Sequence, residues 1–116
     1  ILSDGSSRLY FYHPGDFIQT RQLDVANHKG FVSNLNELEY CLGSVWANLY
    51  GQPVIIRVDP ATGKVLAEID LQALFPEGIE KDYDHVLNGI AFNPDHNTFY
   101  VTGKLWPVMY EIRIVE

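Results

Sequence analysis

Apolar positions along this chain fall in short runs. They are rich in Val, Ile, Tyr and Phe and bounded by Gly, Pro, Asn or Asp. That is the pattern of β-strands separated by tight turns. It predicts strands over Arg8 to His13, Phe17 to Asp24, Leu35 to Cys41, Ser44 to Leu49, Val54 to Asp59, Lys64 to Asp70, Gly89 to Asn93, Thr98 to Gly103 and Val108 to Ile114. Ile1-Leu2-Ser3-Asp4-Gly5 reads as strand running into turn without an initiator methionine, and further residues are expected upstream. No stretch keeps a 3.6-residue apolar period over three turns. Leu71 to Leu74, before Pro76, has room for one helical turn.

The runs repeat. Leu9-Tyr10-Phe11-Tyr12-His13-Pro14, then Phe17, parallels Ile55-Ile56-Arg57-Val58-Asp59-Pro60, then Val65, with the prolines 46 residues apart. Leu35-Asn36-Glu37-Leu38-Glu39 parallels Leu87-Asn88-Gly89-Ile90-Ala91 at a spacing of 52. Each of the latter pair leads into a hairpin and then a third strand. A unit of roughly 45 residues with about four strands has the size of a propeller blade. The expected fold is therefore all-β, with roughly two and a half blades in an incomplete ring. Residues 1–34 are expected to form outer strands of a partial blade. Residues 35–86 should form a full blade with a connecting loop, and 87–116 the inner and middle strands of a further blade. The alternative is an open β-sandwich of ~9 strands, in which the repeat would be coincidence.

Composition narrows the partners. Fifteen acidic side chains against eight basic ones give a net charge of −7. Such a surface repels phosphate backbones, which argues against nucleic acid. No basic amphipathic stretch points to a membrane. The single Cys41 cannot form an intrachain disulfide and has no neighbours at metal-ligand spacing. None of His13, His28, His85 and His96 pairs with another or with Cys41 at such spacing, so no metal site is expected among them. There is no Gly-x-Ser-x-Gly motif, and Ser3, Ser6 and Ser7 fall at a turn.

In a propeller the innermost strands line a channel, and the loops at one end form the site. Asn36 and Asn88 open the first strands of their repeats, near the axis. They can bind a ligand amide, or only bond neighbouring backbone. Val101-Thr102-Gly103-Lys104-Leu105-Trp106-Pro107 presents Lys104 and Trp106 from a loop that Gly103 turns and Pro107 stiffens. Lys104 can stabilise an oxyanion and Trp106 can wall a pocket, or they are a solvated lysine and a packed tryptophan. Asn48 and Tyr50 sit at the equivalent strand end one blade earlier, where either can face the same channel and bind substrate, while Trp46 reads as core. Asp59 to Lys64 and His13-Pro14-Gly15 read as chain reversals.

These motifs, in order over nearly the whole chain, resemble the plant- and bacterial-type glutaminyl cyclases (glutamine cyclotransferases). The resemblance is carried by Leu35-Asn36-Glu37-Leu38-Glu39, Val45-Trp46-Ala47-Asn48, Arg57 to Val65, Leu87-Asn88-Gly89-Ile90-Ala91 and Thr102-Gly103-Lys104-Leu105-Trp106-Pro107. It implies the C-terminal part of a five-bladed propeller roughly twice this long. Such enzymes cyclise the N-terminal glutamine of a peptide or protein to pyroglutamate and release ammonia, with no cofactor and no catalytic metal. The resemblance also implies a periplasmic or secreted setting. It assigns Asn36 to holding the substrate amide and Lys104 to stabilising developing negative charge. It places Tyr50 where an aromatic, often tryptophan, lines the pocket, and makes Trp106 and Asn88 family-typical. The acid/base glutamate belongs to a Phe-Thr-Glu-Gly-Leu-like motif that nothing in this chain matches, and Glu37 is not its substitute. The missing half of the propeller would come in cis or as a second chain. Two other readings differ in chemistry. One is a metal-dependent propeller lactonase or hydrolase with Asn36, Glu37 and Asn88 around Ca²⁺. The other is a non-catalytic interaction propeller.

Overall fold

β-Branched and aromatic residues between Gly, Asn and Asp turns leave this chain little option but paired strands. A computed structural model describes residues 1–80, 82 and 84–115. Lys81, Tyr83 and Glu116, which belong to the expected segments 35–86 and 87–116, lie outside the described residues. Strands β1 (Leu2–Ser3), β2 (Arg8–Tyr12) and β3 (Gln19–Asp24) form one antiparallel sheet. A small hairpin follows, of β4 (Ala26–Asn27) and β5 (Gly30–Phe31). Then comes a four-stranded antiparallel sheet of β6 (Leu35–Cys41), β7 (Ser44–Leu49), β8 (Val54–Val58) and β9 (Val65–Asp70). One 3-10 turn, Gln72–Leu74, leads to a last sheet of β10 (Leu87–Asn93), β11 (Thr98–Gly103) and β12 (Met109–Ile112). The nine expected strands are all present. Only the β4–β5 hairpin lacked a sequence signal, because it rests on two residues per strand.

The sheets stack face to face instead of closing a sandwich. Leu9 of the first sheet and Val25, just after it, pack with Leu35, Val45, Ala47 and Ile56 of the second. On the second sheet's other face, Trp46 and Ile55 pack with Leu87, Phe99 and Val101 of the third. β7 is consequently buried at every position. The innermost strands meet near the axis, where the Phe92 N–H donates to Glu39 Oε2 at 2.8 Å. An innermost strand has a free edge, and this carboxylate satisfies one of its donors. These are propeller blades in an unclosed ring.

The repeat is also written in the turns. His13 N–H donates to Ile18 O at 2.9 Å, and Asp59 N–H to Lys64 O at 2.9 Å. Val25 N–H donates to Ser7 O at 2.7 Å, and Leu71 N–H to Pro53 O at 2.7 Å. Each bond recurs 46 positions on. Phe17 has φ 60° where its counterpart Gly63 has φ 80°. This is why β3 starts at Gln19, two residues after the expected Phe17: that residue is spent on the turn. At Gly63 a side chain would also strike the Asp24 carbonyl oxygen, so there glycine is required twice over.

Candidate active site

The starts of β6 and β10 and the ends of β7 and β11 lie at one end of the stack. Leu35 pairs with Leu49, and Leu87 with Gly103. The chain closes both pairs alike: Tyr50 N–H donates to Asn34 O at 2.8 Å, and Lys104 N–H to Val86 O at 2.9 Å. Both exits then make the same tight turn. Gln52 N–H reaches Leu49 O at 3.0 Å and Trp106 N–H reaches Gly103 O at 3.1 Å. The third residue has positive φ in each, 87° at Gly51 and 60° at Leu105, as a type II turn requires. Tyr50 and Lys104 therefore occupy one structural slot in successive blades.

Both inner strands bulge at their asparagines. Between the Leu35–Leu49 and Leu38–Ala47 pairs, Asn36 and Glu37 oppose Asn48 alone. Between Leu87–Gly103 and Gly89–Thr102, Asn88 is the extra residue. A bulge breaks the ladder and re-aims a side chain, and bulges concentrate beside active sites. The Asn36 backbone is pinned as well, its carbonyl accepting from Ser3 Oγ at 2.8 Å. That serine lies in β1, just ahead of the turn assigned to it from sequence. Gly89 follows the second bulge because a Cβ there would come within 2.8 Å of Thr102 Cγ2.

The Lys104 turn is fixed from behind. The Trp106 indole N–H donates to the His85 carbonyl at 2.7 Å, and Phe75 meets the ring edge-on at 5.1 Å. A Cβ at Gly103 would land on the Trp106 indole, so only glycine lets the ring fold over the strand end. Trp106 is thus packed between the strand end, the His85 carbonyl and Phe75. Lys104 keeps a side-chain exposure of 47%, with Nζ 3.7 Å from Asp84 Oδ1. Nearby, Asp82 Oδ1 shares a 2.7 Å hydrogen bond with His85 Nδ1, which holds the Asp82 carboxyl below its usual range.

Asn48 differs from its neighbours. It is fully buried, on the face of β7 that meets the third sheet beside Trp46 and Ile55. Neither atom of its amide has a partner among the described residues. Trp46 is core, its N–H donating to Cys41 O at 3.1 Å and its ring 4.8 Å from Phe99. Among the described residues no three His, Cys, Asp or Glu side chains form a metal-binding group. Sequence reasoning missed Asp84, Phe75 and Ser3 as supports of the site. The Asp84 signal was present, since pairing Leu87 with Gly103 carries residues 84–86 back alongside Lys104.

Residues 1–114 match the glutamine cyclotransferase family. The chain belongs to that family. It is 40% identical over 115 residues to the glutaminyl-peptide cyclotransferase of Arabidopsis thaliana, covering 97% of this chain and 36% of the relative. It superimposes on the crystal structure of Myxococcus xanthus glutaminyl cyclase with a TM-score of 0.89 and 35% identity. That match covers 96% of this chain and 49% of the bacterial one. The cyclotransferase fold seen here thus spans about a third and about a half of these two relatives.

Proposed function

We propose that this chain supplies the asparagine and lysine side of a glutaminyl-peptide cyclotransferase site, acting on peptides or proteins with an N-terminal glutamine. The observation that carries it is Lys104, half-exposed on a turn locked by Trp106. It stands at the same end of the stack as the bulged Asn36 and Asn88, in a chain of this family.

The reaction is an intramolecular aminolysis. The α-amine nitrogen attacks the side-chain amide carbon, a C–N bond forms, and the carbonyl electron pair moves onto oxygen. The amine then sheds a proton and the departing nitrogen gains one. Cleavage of the old C–N bond releases ammonia and leaves pyroglutamate on the peptide. The Lys104 ammonium stabilises the oxyanion, in a role where loss of one donor costs about 10²–10³ in rate. Asn36 holds the substrate amide so that the amine and its target meet as an intramolecular pair. Tyr50, Asn88 and Trp106 line the pocket. The proton shuttle is a glutamate from blades beyond these residues, in cis or from a second chain. The periplasmic or secreted setting is part of the same proposal.

The test is ammonia release from a Gln-initiated peptide by residues 1–116 alone and by the same residues within a complete ring. We expect turnover only from the complete ring. Full turnover by residues 1–116 alone would contradict the split site. An inactive complete ring would contradict the cyclase reading itself.

A further inference from the structure

A groove of about 360 Å³ opens between the second and third sheets at the end that carries Lys104, within the size range of ligand pockets. Its lining includes Gly51, next to Tyr50, and Leu87, next to Asn88. Its floor includes Val86, whose carbonyl holds the Lys104 backbone. Gln52, Pro53, Gln72 and Phe75 line the rest of it together with Asp82. The groove therefore adjoins the candidate reaction centre, through the chain neighbours of Tyr50 and Asn88, and is lined by residues of this chain.

A glutamine held in the channel by its amine and side chain still has a carbonyl joined to the next residue, and that residue needs a way out. Gly51 contributes no side chain to obstruct it. The exposed Gln52 and Gln72 bring amide groups that can pair with a peptide backbone. The one charged residue among the described lining is Asp82, kept ionised by its bond with His85. The neighbouring stretch, residues 77–85, carries Glu77, Glu80, Asp82 and Asp84 against a single lysine, Lys81.

We infer that this inter-blade groove receives the substrate residue that follows the N-terminal glutamine, and that Asp82 makes it prefer a cationic side chain there. The inference rests on the cyclotransferase reading and deepens it.

The experiment uses the complete ring and three peptides, Gln-Lys-Ala, Gln-Glu-Ala and Gln-Gln-Ala, with glutamine amide as a substrate that lacks a second residue. The Lys peptide should exceed the Glu peptide in kcat/KM by about 5-fold. Asp82→Asn should bring that ratio towards one and leave Gln-Gln-Ala unchanged. Gln72→Trp, which fills the groove, should raise KM for the tripeptides and spare glutamine amide. Equal kcat/KM for the Lys and Glu peptides, or a Gln72→Trp effect as large on glutamine amide as on the tripeptides, would overturn the inference. If no substrate turns over, the cyclase reading fails separately. The groove is then decided by amide NMR shifts of Gln52 and Gln72 on adding Gln-Lys-Ala, whose absence overturns it.

Discussion

The second and third sheets are two copies of one plan placed in different surroundings. In the second, β7 has neighbours on both faces and every residue is buried. In the third, β11 carries the matching residues, but among the described residues only one of its faces meets another sheet, and β12 alternates exposed and half-buried positions. Trp46 and Tyr100 hold corresponding positions, opposite Arg57 and Glu111. Trp46 is 3% exposed and Tyr100 is only partly buried. What a strand position contributes is therefore set by its neighbours more than by the strand's own pattern.

The largest effect should separate those two positions. Trp46→Ala empties the inter-sheet core and should cost about 3–5 kcal/mol. Tyr100→Ala should cost about 1 kcal/mol, the ordinary value for a site that is not fully packed. Urea midpoints at equal m-values measure both. Equal losses would mean that the two sheets are packed alike.

The exit turns sharpen the comparison at smaller scale. Gly51 and Leu105 share a positive φ, which costs a residue other than glycine about 1–2 kcal/mol. Gly51→Ala should destabilise by about 1 kcal/mol. Leu105→Gly should stabilise by up to about 1 kcal/mol, since relief of strain is partly offset by glycine's entropy. Strain retained in the lysine-bearing turn but absent from the tyrosine-bearing turn fits a site that holds its geometry against local preference.

Acid should tell the sheets apart more subtly. Ser44 Oγ accepts from Arg57 Nε at 2.9 Å, whereas in the same slot Thr98 Oγ1 donates to Glu111 Oε1 at 2.8 Å. The Thr98 hydrogen bond lowers the Glu111 pKa below its ordinary 4.5. Stability from this bond is thus fully present above the unfolded value and lost as pH falls through the lower native one. The Ser44–Arg57 bond involves no carboxylate. Stability measured from pH 6 to 3 should lose part of its acid dependence in Thr98→Val and keep all of it in Ser44→Ala.

Most of the fold was legible because a propeller repeats. Spacings of 46 and 52 residues located equivalent turns and inner strands before any contact was known. The bulges were not legible, because an extra residue in a ladder shows only when the partner strand is aligned, as at Asn36 and Asn88. Nor was the burial of Asn48. From sequence it belongs with Tyr50 at a strand end, yet it faces the next sheet two residues before the turn. An unpartnered buried amide carries a penalty of about 1–3 kcal/mol that no composition rule anticipates. Cys41 was legible only as unpaired. Burial pushes its thiol up to about 11, which leaves little thiolate at neutral pH and makes it a poor nucleophile.

The matching exits of β7 and β11 carry the functional claim, because one slot holds a tyrosine in one blade and a lysine in the next. The most direct test is kcat/KM for cyclisation of a Gln-initiated peptide by the complete ring with Lys104→Ala, alongside its urea midpoint. Loss of about 10²–10³ in rate with an unchanged midpoint is the predicted result. An undiminished rate would contradict the assignment of the oxyanion to Lys104.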